Sequence, residues 1–281
     1  MKKILTVSGS YVIQNLFSAK MLASLIIIIA AIYLRVNPLL YYSDYLGYNI
    51  NFGMIAFIIS DPFVLTVIFV AIVFIFSDIP FKNPKQYFIL TRMGRRKWIL
   101  AHVIYAITIS AIVVIVIIGT FALILRGHIY FGNSWGKIVS SIARNTFATE
   151  SGINILIYEE TLASIGPHTA IAWTLVNSLM IFFMFGNICI SFNLCINEYM
   201  GTIMCGVFVF LHLLRSFNPD FFMTYISPID WISINNIDVR GNSAMPDWYF
   251  PIFVYFAVAI CICTLNIYVT SKKSKIIEKI L

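Results

Sequence analysis

KNPKQYFILTRMGRRKWILAH, Lys82 to His102, lies between two long apolar runs. It holds six of the chain's 19 lysine and arginine residues between Lys82 and Lys97, with aromatic residues threaded among them. Asn83-Pro84 reads as a helix start, a short polar cap followed by proline in the first turn. Gly94 suits the left-handed residue that closes a helix. The roughly ten residues between them make a helix of about 15 Å. Tyr87, Phe88 and Met93 give it apolar bulk, flanked by Lys85 and Arg92. After Gly94 the chain restarts as Arg95-Arg96-Lys97-Trp98 and enters the next apolar run. The stretch is therefore a discrete short helix, spanning 83–94, tied to an apolar run at each end.

The surrounding sequence sets its environment. The chain is 281 residues, 60% hydrophobic and 11% charged. Soluble domains carry about 45–50% apolar and about 25% charged residues. An all-α polytopic membrane protein is the expected class; the alternating ten-residue segments of a membrane barrel do not occur. Six runs are expected to cross: 21–34, 62–77, 98–125, 169–192, 199–217 and 248–270. Residues 1–20 carry Val12, Ile13, Leu16 and Phe17 at helical spacing and read as an amphipathic helix on the membrane surface. The apolar core follows Lys20, too late for a cleaved signal peptide.

An even number of crossings puts both ends on one side. With the ends inside, 13 of the 19 basic residues are inside and six outside; acidic residues divide three inside, nine outside. Excess lysine and arginine marks the cytoplasmic face. The reading is a multi-pass protein of the cell membrane with cytoplasmic termini and a cytosolic helix 83–94. The net charge of +7 is accounted for by this distribution and by anionic membrane lipid, so no nucleic acid is expected. Trp98 and Trp248 are placed as membrane-interface anchors.

Two outer loops, 126–168 and 218–247, exceed the length of ordinary connections. The second contains YISPIDWISINN, Tyr225–Asn236, and reads as a partly inserted or interface-lying segment. Asp61 before Pro62 is either a helix cap or a buried membrane acid, and as a cap it leaves Phe52–Ser60 as an outer interfacial segment. His102 reads as interfacial, and His212 with Arg215 as snorkelling near an outer helix end. Asn187, Asn193 and Asn266 read as helix–helix glue. The five cysteines lie in or beside apolar runs and are expected to be free thiols. They form no metal-ligand spacing.

The order of short interfacial helix, small turn, basic cluster, tryptophan and third crossing resembles the permease subunits of type 2 ABC exporters. The resemblance rests on Gly94-Arg95-Arg96-Lys97-Trp98-Ile99-Leu100 in motif and on most of the chain in topology. It implies that 83–94 is a coupling helix docking on a nucleotide-binding ATPase subunit through Tyr87, Phe88, Arg92, Arg95 and Arg96. Glu198, in the short inner loop, is a second contact. It further implies a second permease subunit, as homo- or heterodimer. The chain departs from the family's pattern in three places. Asn83-Pro84-Lys85-Gln86-Tyr87 replaces a start that often carries an acid and a Gly-Thr-Leu-like run; His102 stands where a lysine is frequent; and the loop after the third crossing is long.

No G-x-x-x-x-G-K-[ST] occurs, so this chain does not cradle nucleotide phosphates in a P-loop. It is expected to bind no cofactor, with ATP and Mg on the partner, and to have no enzymatic activity of its own. The expected role is export of a hydrophobic or peptide-like substrate, the substrate-binding residues being unknown. Three rivals stand beside it. A secondary transporter would need intramembrane charges at mid-depth. A non-transporting immunity or sensor protein would need none. An intramembrane protease would use Glu159-Glu160, but an arginine is expected one turn later, where Ser164 stands.

Overall fold

The computed structural model describes residues 2–81, 84–144, 152–240 and 244–272. It is a helical membrane protein. Helices α1 (Lys2–Leu16), α2 (Ala19–Leu46), α3 (Met54–Ile59), α4 (Pro62–Phe76), α5 (Pro84–Met93) and α6 (Arg95–Ile124) form the first half. Helices α7 (Gly136–Arg144), α8 (Glu159–Ser164), α9 (Pro167–Cys195), α10 (Met200–Phe217), α11 (Phe221–Ile226) and α12 (Phe250–Lys272) form the second, with 3₁₀ turns at Pro228–Ile232 and Ile234–Asn236. Five helices (α2, α6, α9, α10 and α12) are long and apolar enough to cross a membrane. The apolar helix α4 has only 15 residues, about 22 Å against a hydrocarbon core of about 30 Å.

Helix α2 runs twelve residues past the end expected at Leu34, to Leu46. Arg35 does not stop it, because its Nε–H donates to Asp61 Oδ1 at 3.1 Å and its guanidinium lies over the Phe63 ring. Pro38 sits inside the helix. Gly47, with φ 69°, ends it by donating its N–H to the Ser43 carbonyl; that left-handed angle is cheap only for glycine.

Asp61 is both things the sequence allowed. Its Oδ1 accepts the Val64 N–H at 3.1 Å, capping α4 with Pro62 in the first turn, and the side chain is buried against Arg35.

The segment before it is corrected. Residues Met54–Ile59 are not interfacial; every one is buried. A lid drawn from the following loop covers them. Asn51 donates to the carbonyls of Gly132 and Ser134 and accepts the Gly53 N–H, and Trp135 packs on Phe57. Strands β1 (Ile50–Asn51) and β2 (Ile129–Tyr130) pair in parallel beneath that lid. Helix α7 turns Ile138, Val139 and Ile142 inward, so this part of the long first loop packs onto the protein.

The core runs between α2, α4, α6, α9 and α10. Gly201 permits the closest helix approach: a Cβ there would meet the backbone of Cys189 at 2.5 Å. None of the five cysteines is in a disulfide, and Cys189 and Cys205 face each other at 3.5 Å. Of the polar residues expected as glue, Asn266 accepts from Ser191, linking α12 to α9, and Asn187 accepts a weak bond from Cys263.

Candidate functional site at the turn before α5

Helix α5 exists as a separate element. Its N-terminal Asn83 and the side chain of Tyr87 lie outside the described residues. Leu90 is buried against the bundle, while Phe88, Arg92 and Arg96 are exposed and Arg95 is half-buried. Gly94 has φ 79°. Its N–H closes α5 on the Leu90 carbonyl and its own carbonyl accepts from Trp98, opening α6. One residue thus ends one helix and begins the next.

The segment leading into α5, Ser77–Phe81, is irregular, with Ile79 and Pro80 buried and Asp78 exposed. Buried backbone groups need partners, and neighbouring helices supply them. Asn193 of α9 donates from Nδ2 to the Ile79 carbonyl at 2.6 Å, while its Oδ1 accepts the Gly201 N–H of α10 at 2.7 Å. His102 of α6 accepts the Phe81 N–H on Nε2 at 3.3 Å and donates Nδ1–H to the Trp98 carbonyl at 3.0 Å. These partners make it a neutral imidazole with a fixed tautomer.

Tyr11 of α1 packs on both Phe81 and His102, and Asn15 of α1 donates to the Tyr105 hydroxyl. Lys20, at the start of α2, pairs with Asp78 at 2.6 Å. Glu198, exposed, shares with Ser77–Phe81 and Asn193 a cleft of about 350 Å³. Four of the residues read from sequence as coupling contacts, Phe88, Arg92, Arg95 and Arg96, fall on or beside α5, and Glu198 lines the cleft beside the turn that leads into it.

Two placements differ from expectation. His102 is fully buried as a backbone acceptor and not at an interface. Trp98 is 1% exposed, its ring edge-on to His102, so it packs within the protein and does not face lipid. Trp248 is half-buried and stacked on Trp173 at 3.9 Å.

The opposite end of the bundle holds a second arrangement. Residues Pro228–Ile232 are buried, inserting between α9 and α10, as the turn-rich aromatic segment suggested. Asp230 at its centre accepts from His212 Nδ1 at 3.0 Å, Arg215 Nη1 at 3.5 Å and Ser227 Oγ at 2.5 Å. His212 Nε2 reaches the Pro62 carbonyl at 3.2 Å, and Arg215 Nη2 donates to Asn236 Oδ1 at 2.6 Å. His212 is fully buried and Arg215 is turned inward, so neither snorkels. Sequence reasoning missed Asp230, although an acid set between the apolar residues Ile229 and Trp231 is a signal of a buried charge that needs a partner.

Glu159 and Glu160 sit exposed on α8, Glu159 paired with Arg144 at 2.7 Å. Among the described residues no group of three or more metal-ligating side chains occurs. No family model, curated protein or solved structure matches the chain.

Proposed function

We propose that this chain is the membrane-spanning permease subunit of an ABC-type exporter, with α5 as the helix that docks on a separate ATPase subunit. The observation that carries the reading is the held turn Ser77–Phe81. A helix that only covered lipid headgroups would need no such attachment. Here the turn before α5 is bonded or packed to α1, α2, α6 and α9, and Gly94 joins its other end to α6 without a linker. A push on α5 therefore reaches most of the bundle, as rigid-body coupling requires.

In this reading α4 is the short second of six crossings, both termini lie in the cytoplasm, and two copies or two related permeases complete the transporter. ATP and Mg are held by the partner. The cargo is hydrophobic or peptide-like. Helix α9 carries a strip of polar atoms buried inside the bundle. Trp173 Nε1, Thr174 Oγ1, Asn177 Oδ1 and Ser178 Oγ lie on successive turns of α9, buried without a hydrogen-bond partner among the described residues. Each such group costs about 1–3 kcal/mol when left unpaired.

The test is co-purification of the tagged full-length chain in nanodiscs. A stoichiometric P-loop ATPase is the expected partner, released by Arg95→Glu/Arg96→Glu while thermal unfolding stays unchanged, since both side chains are at least partly exposed. A double variant that keeps its partner and its transport sinks the assignment. The buried Asp230–His212–Arg215 cluster favours one rival, a proton-coupled carrier. Transport that persists without ATP and collapses with the proton gradient would select it.

A further inference from the structure

A cavity of about 600 Å³ opens at the end of the bundle away from α5, within the range of about 300–1,000 Å³ usual for ligand sites. Its walls come from α8, the end of α10, α11 and the stretch after the buried loop. Three carboxylates line it, Glu160, Asp220 and Asp238, against two guanidiniums, Arg215 and Arg240. The charges are not matched internally. Glu160 and Asp220 are exposed and neither has an ion-pair partner among the described residues. Asp220 stands at the cap position of α11, yet its side chain makes no capping bond. Asp238 spends one oxygen on the Arg240 N–H. Arg215 directs both Nη atoms into the wall, to Asp230 and Asn236.

The wall also keeps unused hydrogen-bonding capacity of both kinds. Arg215 Nε, a donor, and Asn235 Oδ1, an acceptor, are buried just behind the lining without a partner among the described residues. Leaving such groups unpaired is costly, and both residues line the cavity. A donor and an acceptor together match a peptide amide, which offers one C=O and one N–H. Unpaired carboxylates at the mouth match an ammonium.

We propose that this cavity recognises a cationic peptide segment, with the peptide's ammonium groups on Glu160 and Asp220 and a backbone amide between Arg215 and Asn235. The inference deepens the transport reading by naming the cargo class. Binding itself does not depend on the ATPase, so the two fail separately.

The experiment uses the full-length chain in phosphatidylcholine nanodiscs, whose lipid carries no net charge to attract the probe. A fluorescein-labelled hexapeptide of alternating lysine and alanine is titrated by anisotropy, beside one of glutamate and alanine. The expected result is saturable binding of the lysine peptide only. Glu160→Gln/Asp220→Asn, at exposed positions that leave the fold intact, weakens it about tenfold, the loss of two partly screened ion pairs. Equal binding to the double variant or to empty nanodiscs overturns the proposal. So does equal binding of the glutamate peptide. Displacement of the lysine peptide by spermidine at equal concentration overturns the amide assignment, because charge alone would then be read.

Discussion

Two segments without α-helix, one partly and one largely buried, lie at opposite ends of this bundle, and they are satisfied by opposite chemistry. Ser77–Phe81, beside α5, is held by neutral groups: the Asn193 amide on the Ile79 carbonyl and the His102 imidazole on the Phe81 N–H. Its ion pair, Lys20–Asp78, is half-exposed and therefore weak. Pro228–Asn236, at the other end, is centred on the buried Asp230 carboxylate and its two basic partners. Both stretches answer the same demand, that buried backbone groups must find partners.

The costs of breaking them differ. Removing one partner of a neutral bond leaves an unpaired group at about 1–3 kcal/mol; stranding a buried charge costs about 3–5 kcal/mol. Breaking the end beside α5 is therefore expected to cost less than breaking the other.

The largest expected effect is therefore Asp230→Ala. It strands His212 and Arg215 and should cost about 3–5 kcal/mol, read as a lower midpoint for thiol-dye access to the buried Cys189 and Cys205 on heating. Asp230→Asn, which keeps the shape and an acceptor, should fall between. If Asp230→Ala unfolds no earlier than Asn193→Ala, the contrast between the two ends is wrong.

Asn193→Ala comes next. It removes the donor to Ile79 and the acceptor for Gly201, with an expected cost of about 1–3 kcal/mol. The sharper readout is functional: partner-dependent ATP turnover should lose its coupling to transport while the ATPase remains bound. Loss of stability without loss of coupling would make Asn193 a structural tie alone.

The smallest effect is at the surface. Lys137 donates to the Tyr48 hydroxyl at 2.9 Å, and that hydrogen bond, followed by the ammonium charge, pulls the phenol below its ordinary value near 10. A folded value below the unfolded one stabilises the fold only above the unfolded value, and the contribution is lost as pH falls through the folded value. Neutral pH is therefore indifferent to the pair. In an alkaline absorbance titration Tyr48→Phe should delete the earliest phenolate signal, and Lys137→Met should move it upward. No change in either variant would dissolve the contact.

The apolar helices were legible because apolar runs and caps are local signals. Pro62 after Asp61 started α4, Gly94 closed α5, and α9 and α10 fall within three residues of the runs read from composition. The failures share a cause. Arg35 looked like an end for α2, Phe52–Ser60 like surface, and His102, His212 and Arg215 like edge residues, because a polar or short segment reads as exposed until its partner is known. Each partner is remote in sequence: Asp61 for Arg35, Gly132 and Trp135 for the cover over α3, Phe81 for His102, Asp230 for His212.

The sequence by itself determined a helical membrane protein, the position of most of its apolar helices and the separate basic helix between Pro84 and Met93. Composition and periodicity act over one or two turns, and the bilayer rewards them directly. Only the tertiary structure decided which polar groups meet. It put Asn193 and His102 on the turn before α5, gathered His212, Arg215 and Asp230 at the far end, and left Glu160 and Asp220 facing a cavity. Those choices depend on which helices become neighbours, because a buried polar group is tolerated only where another element brings its partner.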